Sequence, residues 1–315
     1  MNNIHEKEAE IMSLIKYEVF QKIVELGSLT RAAEALGLTQ SAVSHAISSL
    51  EDEFGFVLLI RNRTGVRLTL NGERVLRHIR NLLNCDEQLK QEIDAIKGVE
   101  AGTIRIGTFS SVSINWLPGI IRSFRQEHPL IEVKLINGDY DEIEGWLKNG
   151  EIDFGFMSLP TSDSFEAIPL WMDRMVCIVP KQHPLSGCKH ISYAQIEQES
   201  FIMPTKGCDQ DVRRVLRTLP HQPRVQFEAG DDYAIIAMVE NGLGISIISE
   251  MILSSRDHQV SMLELEAPNS RSLGIVIPSM KHASPATSKF IELTKLWVDN
   301  WRLSHEEFPL GELHP

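Results

Sequence analysis

Cysteine is scarce in this chain of 315 residues. The four cysteines, at 85, 177, 188 and 208, form no C-x-x-C pair and no Cys/His ligand spacing, which argues against a disulfide framework and against a zinc site. Long apolar runs are also missing. The most apolar stretch, Tyr233 to Ile248, is broken by Glu240, Asn241 and two glycines, so no membrane-spanning helix and no membrane partner are expected. The opening MNNIHEKEAEIMSL is charged and lacks a continuous apolar segment, so no signal peptide is expected and the cytoplasm is the expected compartment. No Ser/His/Asp, Cys/His or paired-carboxylate constellation stands out, so neither an enzyme nor a cofactor or metal is expected. Gly242-Leu243-Gly244 lacks the third glycine of a dinucleotide fingerprint and precedes a strand instead of following one. His183, beside Pro184, has no companion ligand or base and reads as structural. Positive charge is in deficit overall, with 31 Lys and Arg against 43 Asp and Glu, a net charge of −12. What remains is a chain whose 43% hydrophobic content supports ordinary globular cores and whose length predicts more than one domain.

Against that background Leu26 to Leu70 stands out. Ser28 is a good N-cap, because its hydroxyl can accept from an orphan N–H of the first turn. The alanine-rich Arg31-Ala32-Ala33-Glu34-Ala35-Leu36 follows, and Gly37 ends it. Small residues at Ala32, Ala33 and Ala35 would let the next helix cross closely. Thr39 caps that helix, expected over Gln40 to Phe54, with Val43, Ile47, Leu50 and Phe54 on its buried face. Its first turns expose Gln40, Ser41, Ser44 and His45. These are short or flat hydrogen-bonding side chains, suited to reading base edges in a major groove. A generic helical hairpin with a polar face has the same spacing.

The next residues favour the groove-reading alternative. Leu58-Leu59-Ile60 and Val66-Arg67-Leu68 predict two short strands joined by Asn62-Arg63-Thr64-Gly65. Between positions 61 and 80 lie six arginines (61, 63, 67, 74, 77, 80) and one acid, Glu73, so six minus one leaves +5 on an acidic protein. A basic island beside a recognition helix is the electrostatic footprint of phosphate contact. The segment 14–26 predicts an amphipathic helix completing the core beneath.

The run GSLTRAAEALGLTQSAVSHAISSLEDEFGFVLLIRNRTGVRLTLNGE closely resembles the N-terminal signature of LysR-type transcriptional regulators. The resemblance is specific over about the first ninety residues and persists as a looser pattern to near the C-terminus. It implies that Gln40, Ser41, Ser44 and His45 lie at DNA bases. It also implies that Arg31 and the wing arginines Arg61, Arg63 and Arg67 lie at phosphates. Residues 71–98 read as one long helix whose Val75, Ile79, Leu82, Asp86, Leu89, Ile93 and Ile96 are spaced four and three in alternation, a heptad seam interrupted at Asp86. The resemblance implies that this linker dimerises, that dimers pair into a tetramer, and that promoter DNA, a small effector and RNA polymerase are partners.

From residue 103 onward, strand and helix patterns alternate as in a parallel sheet with helices on its faces. The fold class expected is therefore α/β multidomain: an N-terminal winged helix-turn-helix over 1–70, the linker helix over 71–98 and, by resemblance, a two-lobed periplasmic-binding-protein-like effector domain over 99–315. Lobe 1 is placed at about 103–172 and 268–302 and lobe 2 at about 173–267, with crossovers near Met172–Arg174 and Leu265–Pro268.

Ligands of open α/β sheets sit beyond the C-terminal strand ends. Four segments meet that description, and they supply Thr108, Ser110 and Ser111; Asp139 and Tyr140; Thr205, Lys206, Gly207 and Cys208; and Asp231 and Asp232. The bland alternative for each Ser, Thr or Asp is helix capping. Ser110, Ser111 and Lys206 suit a carboxylate, whereas Asp139, Asp231 and Asp232 suit an ammonium, so a zwitterion and an uncharged metabolite both stay open. Cys208 follows Lys206-Gly207 at an expected helix start, where a thiol pKa is lowered. Peroxide-sensing members of the family carry a reactive cysteine in a similar setting, so redox sensing is an alternative to effector binding. A solute-binding protein with a helical adaptor is the competing class.

Overall fold

The computed structural model describes residues 2–62, 65–98, 100–254 and 257–305, with side chains placed from 14 to 303. The chain divides into an N-terminal unit that runs to Ile93 and includes Lys148–Glu151, and a larger C-terminal unit of the remaining residues.

The N-terminal unit comprises α1 (Asn2–Leu26), α2 (Leu29–Leu36), α3 (Gln40–Phe54), β1 (Leu59–Asn62), β2 (Gly65–Leu68) and α4 (Leu70–Ile96). Local chemistry sets the helix ends. Ser28 Oγ accepts from the Arg31 amide and Thr39 Oγ1 from the Ala42 amide, while Gly37, at φ 66, takes the left-handed cap that a side chain resists. Phe20, Ile23, Ala32, Ala33, Val43, Ile47, Leu50 and Leu58 form the core. The small Ala32 and Ala33 pack inside it, whereas Ala35, expected at the same crossing, stands exposed. β1 and β2 pair antiparallel from Leu59↔Leu68 to Asn62↔Gly65. Arg63, a predicted phosphate contact, lies outside the described residues.

The linker seam needs one correction. Ile79 is buried in the N-terminal core and Val75 packs against it, so the first two positions of the seven-residue pattern serve their own unit. Leu82, Leu89, Ile93 and Ile96, further along α4, are 52, 59, 41 and 79% exposed.

The C-terminal unit runs β3 (Gly102–Thr108), α5 (Ser110–Asn115), α6 (Leu117–Glu127), β4 (Ile131–Asn137), α7 (Tyr140–Lys148), β5 (Phe154–Leu159), β6 (Glu166–Pro180), β7 (His190–Ile191), α8 (Tyr193–Gln198), β8 (Ser200–Pro204), α9 (Gln210–Leu216), β9 (Arg224–Ala229), α10 (Asp232–Glu240), β10 (Ser246–Ser249), α11 (Glu250–Leu253), β11 (Val260–Ile277) and α12 (Pro285–His305). One sheet has the order β10-β6-β11-β5-β3-β4, with β7 beside β11, and β8 pairs with β9. It is mixed, not parallel. β3 is parallel to β4 and β5, but β11 is antiparallel to β5 and β6, and β10 to β6. The early half of β6, from Glu166, escapes the strand pattern because its residues are half-buried or exposed and include Pro169.

The long strands β6 and β11 join two lobes. β11 pairs with β6 from Val260 to Glu264 and again from Asn269, with residues 265–268 displaced from the ladder. One lobe buries Trp116, Phe124, Phe154, Phe156 and Phe290 in a single core. The other packs Phe201, Val215 and Leu263 on one side of its sheet, and Ile202, Ile235 and Ile252 on the opposite side. The C-terminal ends of β3, β4, β8 and β9, and the starts of the helices that follow them, meet between the lobes.

Candidate functional site

In the N-terminal unit the exposed face of α3 carries Gln40, Ser41 and His45, with Ser44 half-buried beside them. Arg61, at the base of the wing, donates from Nη1 to Ser44 Oγ at 3.1 Å. The wing is tied to α3 by an acid the sequence reading did not single out. Glu51 Oε1 accepts the amides of Leu58 and Leu59, at 2.7 and 3.1 Å. That spends an acidic group internally and sets where the hairpin begins. Arg67, Arg74 and Arg77 are exposed nearby in sequence, and Arg31, also exposed, turns Nη1 toward the carbonyl of Leu26 at 3.4 Å.

In the C-terminal unit a cavity of about 250 Å³ opens between the lobes. Of the predicted effector residues, Ser110, Asp139, Tyr140, Thr205, Gly207, Cys208, Asp231 and Asp232 line it. Thr108, Ser111 and Lys206 do not. Thr108 is buried, with its hydroxyl 3.1 Å from that of Ser113. Lys206 is exposed away from the lining. Ser111 is fully buried and its Oγ accepts from Arg271 Nη2 at 2.7 Å. Two of the three groups that suited a carboxylate are therefore absent from the wall.

Arg271, on β11, is the residue that sequence reasoning missed. It lines the cavity and is 8% exposed. Its Nε donates to Asp173 Oδ2 at 2.9 Å, Nη2 to Ser111 and Ser249, and Nη1 to the Tyr140 hydroxyl at 3.1 Å, with Asp211 Oδ2 at 3.6 Å. Tyr140 in turn donates to Asp211 at 3.1 Å, and Ser158 donates to the same carboxylate at 2.9 Å. This network spans both lobes and the strands between them. Desolvation opposes the charge on Arg271, but Tyr140, Asp173, Asp211 and Asp232 around it hold its pKa above the usual guanidinium value. Burial, reinforced by Asp211, pushes the Tyr140 phenol up, so it remains a donor.

The predicted aspartates divide into two kinds. Asp139 Oδ1 accepts the Glu142 amide at 2.8 Å and Glu142 Oε2 accepts the Asp139 amide at 3.0 Å, a reciprocal cap on α7. Asp231 Oδ1 caps α10 through Ala234 at 3.0 Å. Asp232 is different: half-buried, it accepts no hydrogen bond from the described residues, and burial, helped by Asp231, Asp173 and Asp211 and opposed by the Arg271 charge, pushes its carboxyl up. Gly207 closes one wall from the opposite lobe. At φ +96, a Cβ on it would stand 2.1 Å from Asp139 Oδ2, so glycine is required both by the turn and by the approach.

The redox expectation for Cys208 is corrected by its surroundings. Burial first, then Asp139, Asp232, Asp209 and Glu142, push the thiol up to about 11. Lys206 stands outside the wall, and the carboxylates that do face the sulfur oppose thiolate formation.

A winged helix-turn-helix followed by a long helix and a two-lobed domain with a cleft defines a transcriptional regulator with a built-in effector domain. Residues 14–73 match the family described as "Bacterial regulatory helix-turn-helix protein, lysR family", and residues 97–297 match the "LysR substrate binding domain". A Bacillus subtilis protein described as the uncharacterised HTH-type transcriptional regulator YvbU is 37% identical over 288 residues, covering 90% of this chain and 98% of its own. Full-length OxyR from Pseudomonas aeruginosa, in a variant form, shares the fold with a TM-score of 0.74 at 22% identity, over 92% of this chain and 94% of its own. Full-length CbnR in complex with its target DNA aligns with a TM-score of 0.65 at 20% identity, over 90% and 99%. The chain belongs to the LysR family of transcriptional regulators, with a DNA-binding helix-turn-helix and an effector-binding domain.

Proposed function

We propose that this chain acts as a homo-oligomer that places α3 in the major groove of promoter DNA. A small molecule held between the lobes would then change how the paired DNA-binding units are presented. The observation that carries the DNA contact is the acid-free first half of the exposed α3 face beside Arg61, with further exposed arginines at 67, 74 and 77. In this reading Gln40, Ser41, Ser44 and His45 read bases, and Arg31, Arg61, Arg63 and Arg67 contact phosphates. CbnR, of the same fold, is seen with its target DNA, which supports the same use of this unit. The cleft is read as a sensing site, not a catalytic one, because Arg271, Tyr140, Asp139 and Asp231 are spent on an internal network and on helix caps. RNA polymerase as a partner and the cytoplasm as compartment belong to this proposal.

The exposed stripe on α4, at Leu82, Leu89, Ile93 and Ile96, supports the oligomer. A two-fold pair of recognition helices matches a two-fold DNA site.

The test is selection of a binding sequence from a random duplex pool, followed by titrations over a range of salt. Gln40→Ala and Ser44→Ala should each lose about 1–3 kcal/mol of discrimination against wrong bases. Arg67→Ala should weaken specific and nonspecific binding together and reduce the salt slope by about 0.9. Equal, salt-insensitive affinity of the wild type for every duplex would overturn the proposal.

A further inference from the structure

The charge on the cleft wall reveals the kind of molecule it accepts. Asp139, Glu142, Asp231, Asp232 and one cation, Arg271, line the cavity. Taken alone, Arg271 and two helix N-termini would make an anion site. Each of those features is already occupied. The Arg271 guanidinium donates to Asp173, Ser111, Ser249 and Tyr140 and faces Asp211 at 3.6 Å, and its flat face lies 5.3 Å from the Phe109 ring centroid. Two buried carboxylates therefore offset its charge before any ligand arrives. The N-terminus of α7 is filled by Asp139 and that of α10 by Asp231, each bonded to an amide of its own helix. An incoming carboxylate or phosphate would find the guanidinium and these two helix starts taken, and four carboxylates within the same wall.

The opposite holds for a cation. Asp232 lacks any hydrogen bond from the described residues, and the Arg271 guanidinium, whose charge favours its ionised form, spends its own hydrogen bonds on Asp173, Ser111, Ser249 and Tyr140. Asp231 caps its helix through Oδ1 alone, and Ser110 and Thr205 add hydroxyls to the lining. From this geometry we infer that the effector carries a cationic nitrogen, an amine or a guanidinium, which pairs with Asp232 in the cleft between the lobes. The inference rests on the reading of the cleft as the effector site. It selects one side of the zwitterion-or-neutral choice that sequence alone leaves open. A cation there is also attracted by Asp139, Asp231 and Glu142, and its pairing with Asp232 links α10 to the opposite lobe.

The test uses the full-length protein in calorimetric titration and thermal unfolding, with matched probes. Butane-1,4-diamine, agmatine and a panel of other small primary amines and guanidines are compared with succinate, adipate and glycolate phosphate. The expected result is saturable binding by at least one cationic probe, weakened tenfold or more in both Asp232→Asn and Asp232→Ser, with both variants still folded by circular dichroism. Thr205→Trp, which fills the cavity, should abolish the same binding. Cationic probes that bind equally well to both Asp232 variants while Thr205→Trp blocks them would overturn the charge assignment and leave the cleft intact as the site. Anionic probes binding in a Thr205→Trp-sensitive way, or a cationic panel in which nothing binds, would overturn it too. Binding insensitive to Thr205→Trp would instead sink the cleft reading itself.

Discussion

Arg271 and Asp173 face each other in register across β11 and β6, and their side chains close a buried ion pair at 2.8 Å where the two strands pass between the lobes. Such a pair is costly to break on one side, because the survivor stays charged and desolvated. Arg271→Met would leave Asp173 unpaired and strip donors from Ser111, Ser249 and Tyr140. The expected loss is about 3–5 kcal/mol in urea unfolding. Arg271→Met combined with Asp173→Leu should recover much of that loss, since removing both charges together is often close to neutral. A single variant as stable as wild type would show that the pair does not hold the lobes.

Asp232 gives a pH signature of opposite sense to an ordinary paired aspartate. Burial, aided by the surrounding carboxylates, raises its folded pKa above the unfolded value of about 3.9. The folded state therefore binds that proton more tightly. The group's contribution to stability is full below the unfolded value and is lost as pH rises through the folded one. Above the folded value the aspartate is a net cost to the free protein. Asp232→Asn should accordingly melt higher than wild type at pH 7.5, with the gap closing toward pH 4. Thermal scans at a series of pH values read it directly, and a variant that melts lower at pH 7.5 would contradict the environment described.

The parts of this protein that were legible in the sequence are the ones specified locally. Ser28, Gly37 and Thr39 announce helix ends through their own backbone chemistry, and the spacing of Val43, Ile47 and Leu50 announces a buried face. The Arg271 network had no such signal. Its members, at 111, 140, 173, 211, 249 and 271, lie far apart in the chain and meet only because β6 and β11 pair and four loops converge. Ser111 illustrates the limit well. A serine beside a strand end has the composition of a ligand contact, but the direction of its hydroxyl is decided by an arginine 160 residues away. The first turns of α4 mislead for the mirror reason: Val75 and Ile79 obey the heptad spacing, yet the N-terminal core claims them first. Asp139 and Asp231 were legible both as caps and as wall residues, and they are both at once.

Cys208 should be a slow thiol. With its pKa pushed up to about 11, the thiolate fraction at pH 7.5 is on the order of one in a few thousand, against roughly one in ten for a free cysteine. Alkylation by iodoacetamide, followed by peptide mass spectrometry, should therefore modify Cys208 roughly a hundredfold more slowly than a free thiol. Peroxide at levels that spare methionine should leave DNA affinity unchanged, in wild type and in Cys208→Ser alike. Rapid modification, or a peroxide response lost in Cys208→Ser, would restore the redox reading.

The stripe on α4 yields the last prediction. Leu82, Leu89, Ile93 and Ile96 are separated by seven, four and three residues, and each is at least 41% exposed, so they lie along one side of the helix, away from the side on which Leu76, Ile79 and Leu83 meet the N-terminal core. Burying such a side chain fully contributes about 1.5–3 kcal/mol, and in a two-fold pair each position counts twice. Placing a carboxylate there reverses the sign, because two like charges would then meet across the seam. Leu89→Asp with Ile93→Asp should yield a monomer by light scattering at concentrations where wild type is dimeric or larger. The far-UV spectrum should be unchanged, since α4 is already supported at its start by Leu76 and Ile79. DNA affinity should fall as well: with one recognition helix per particle, the gain from joining two binding modules, roughly 10²–10⁴-fold, disappears. A single half-site should bind the variant and the wild type equally. A wild type that is monomeric, or a variant that keeps its mass and its affinity for a two-fold site, would remove α4 as the dimer contact and leave its apolar stripe without that role.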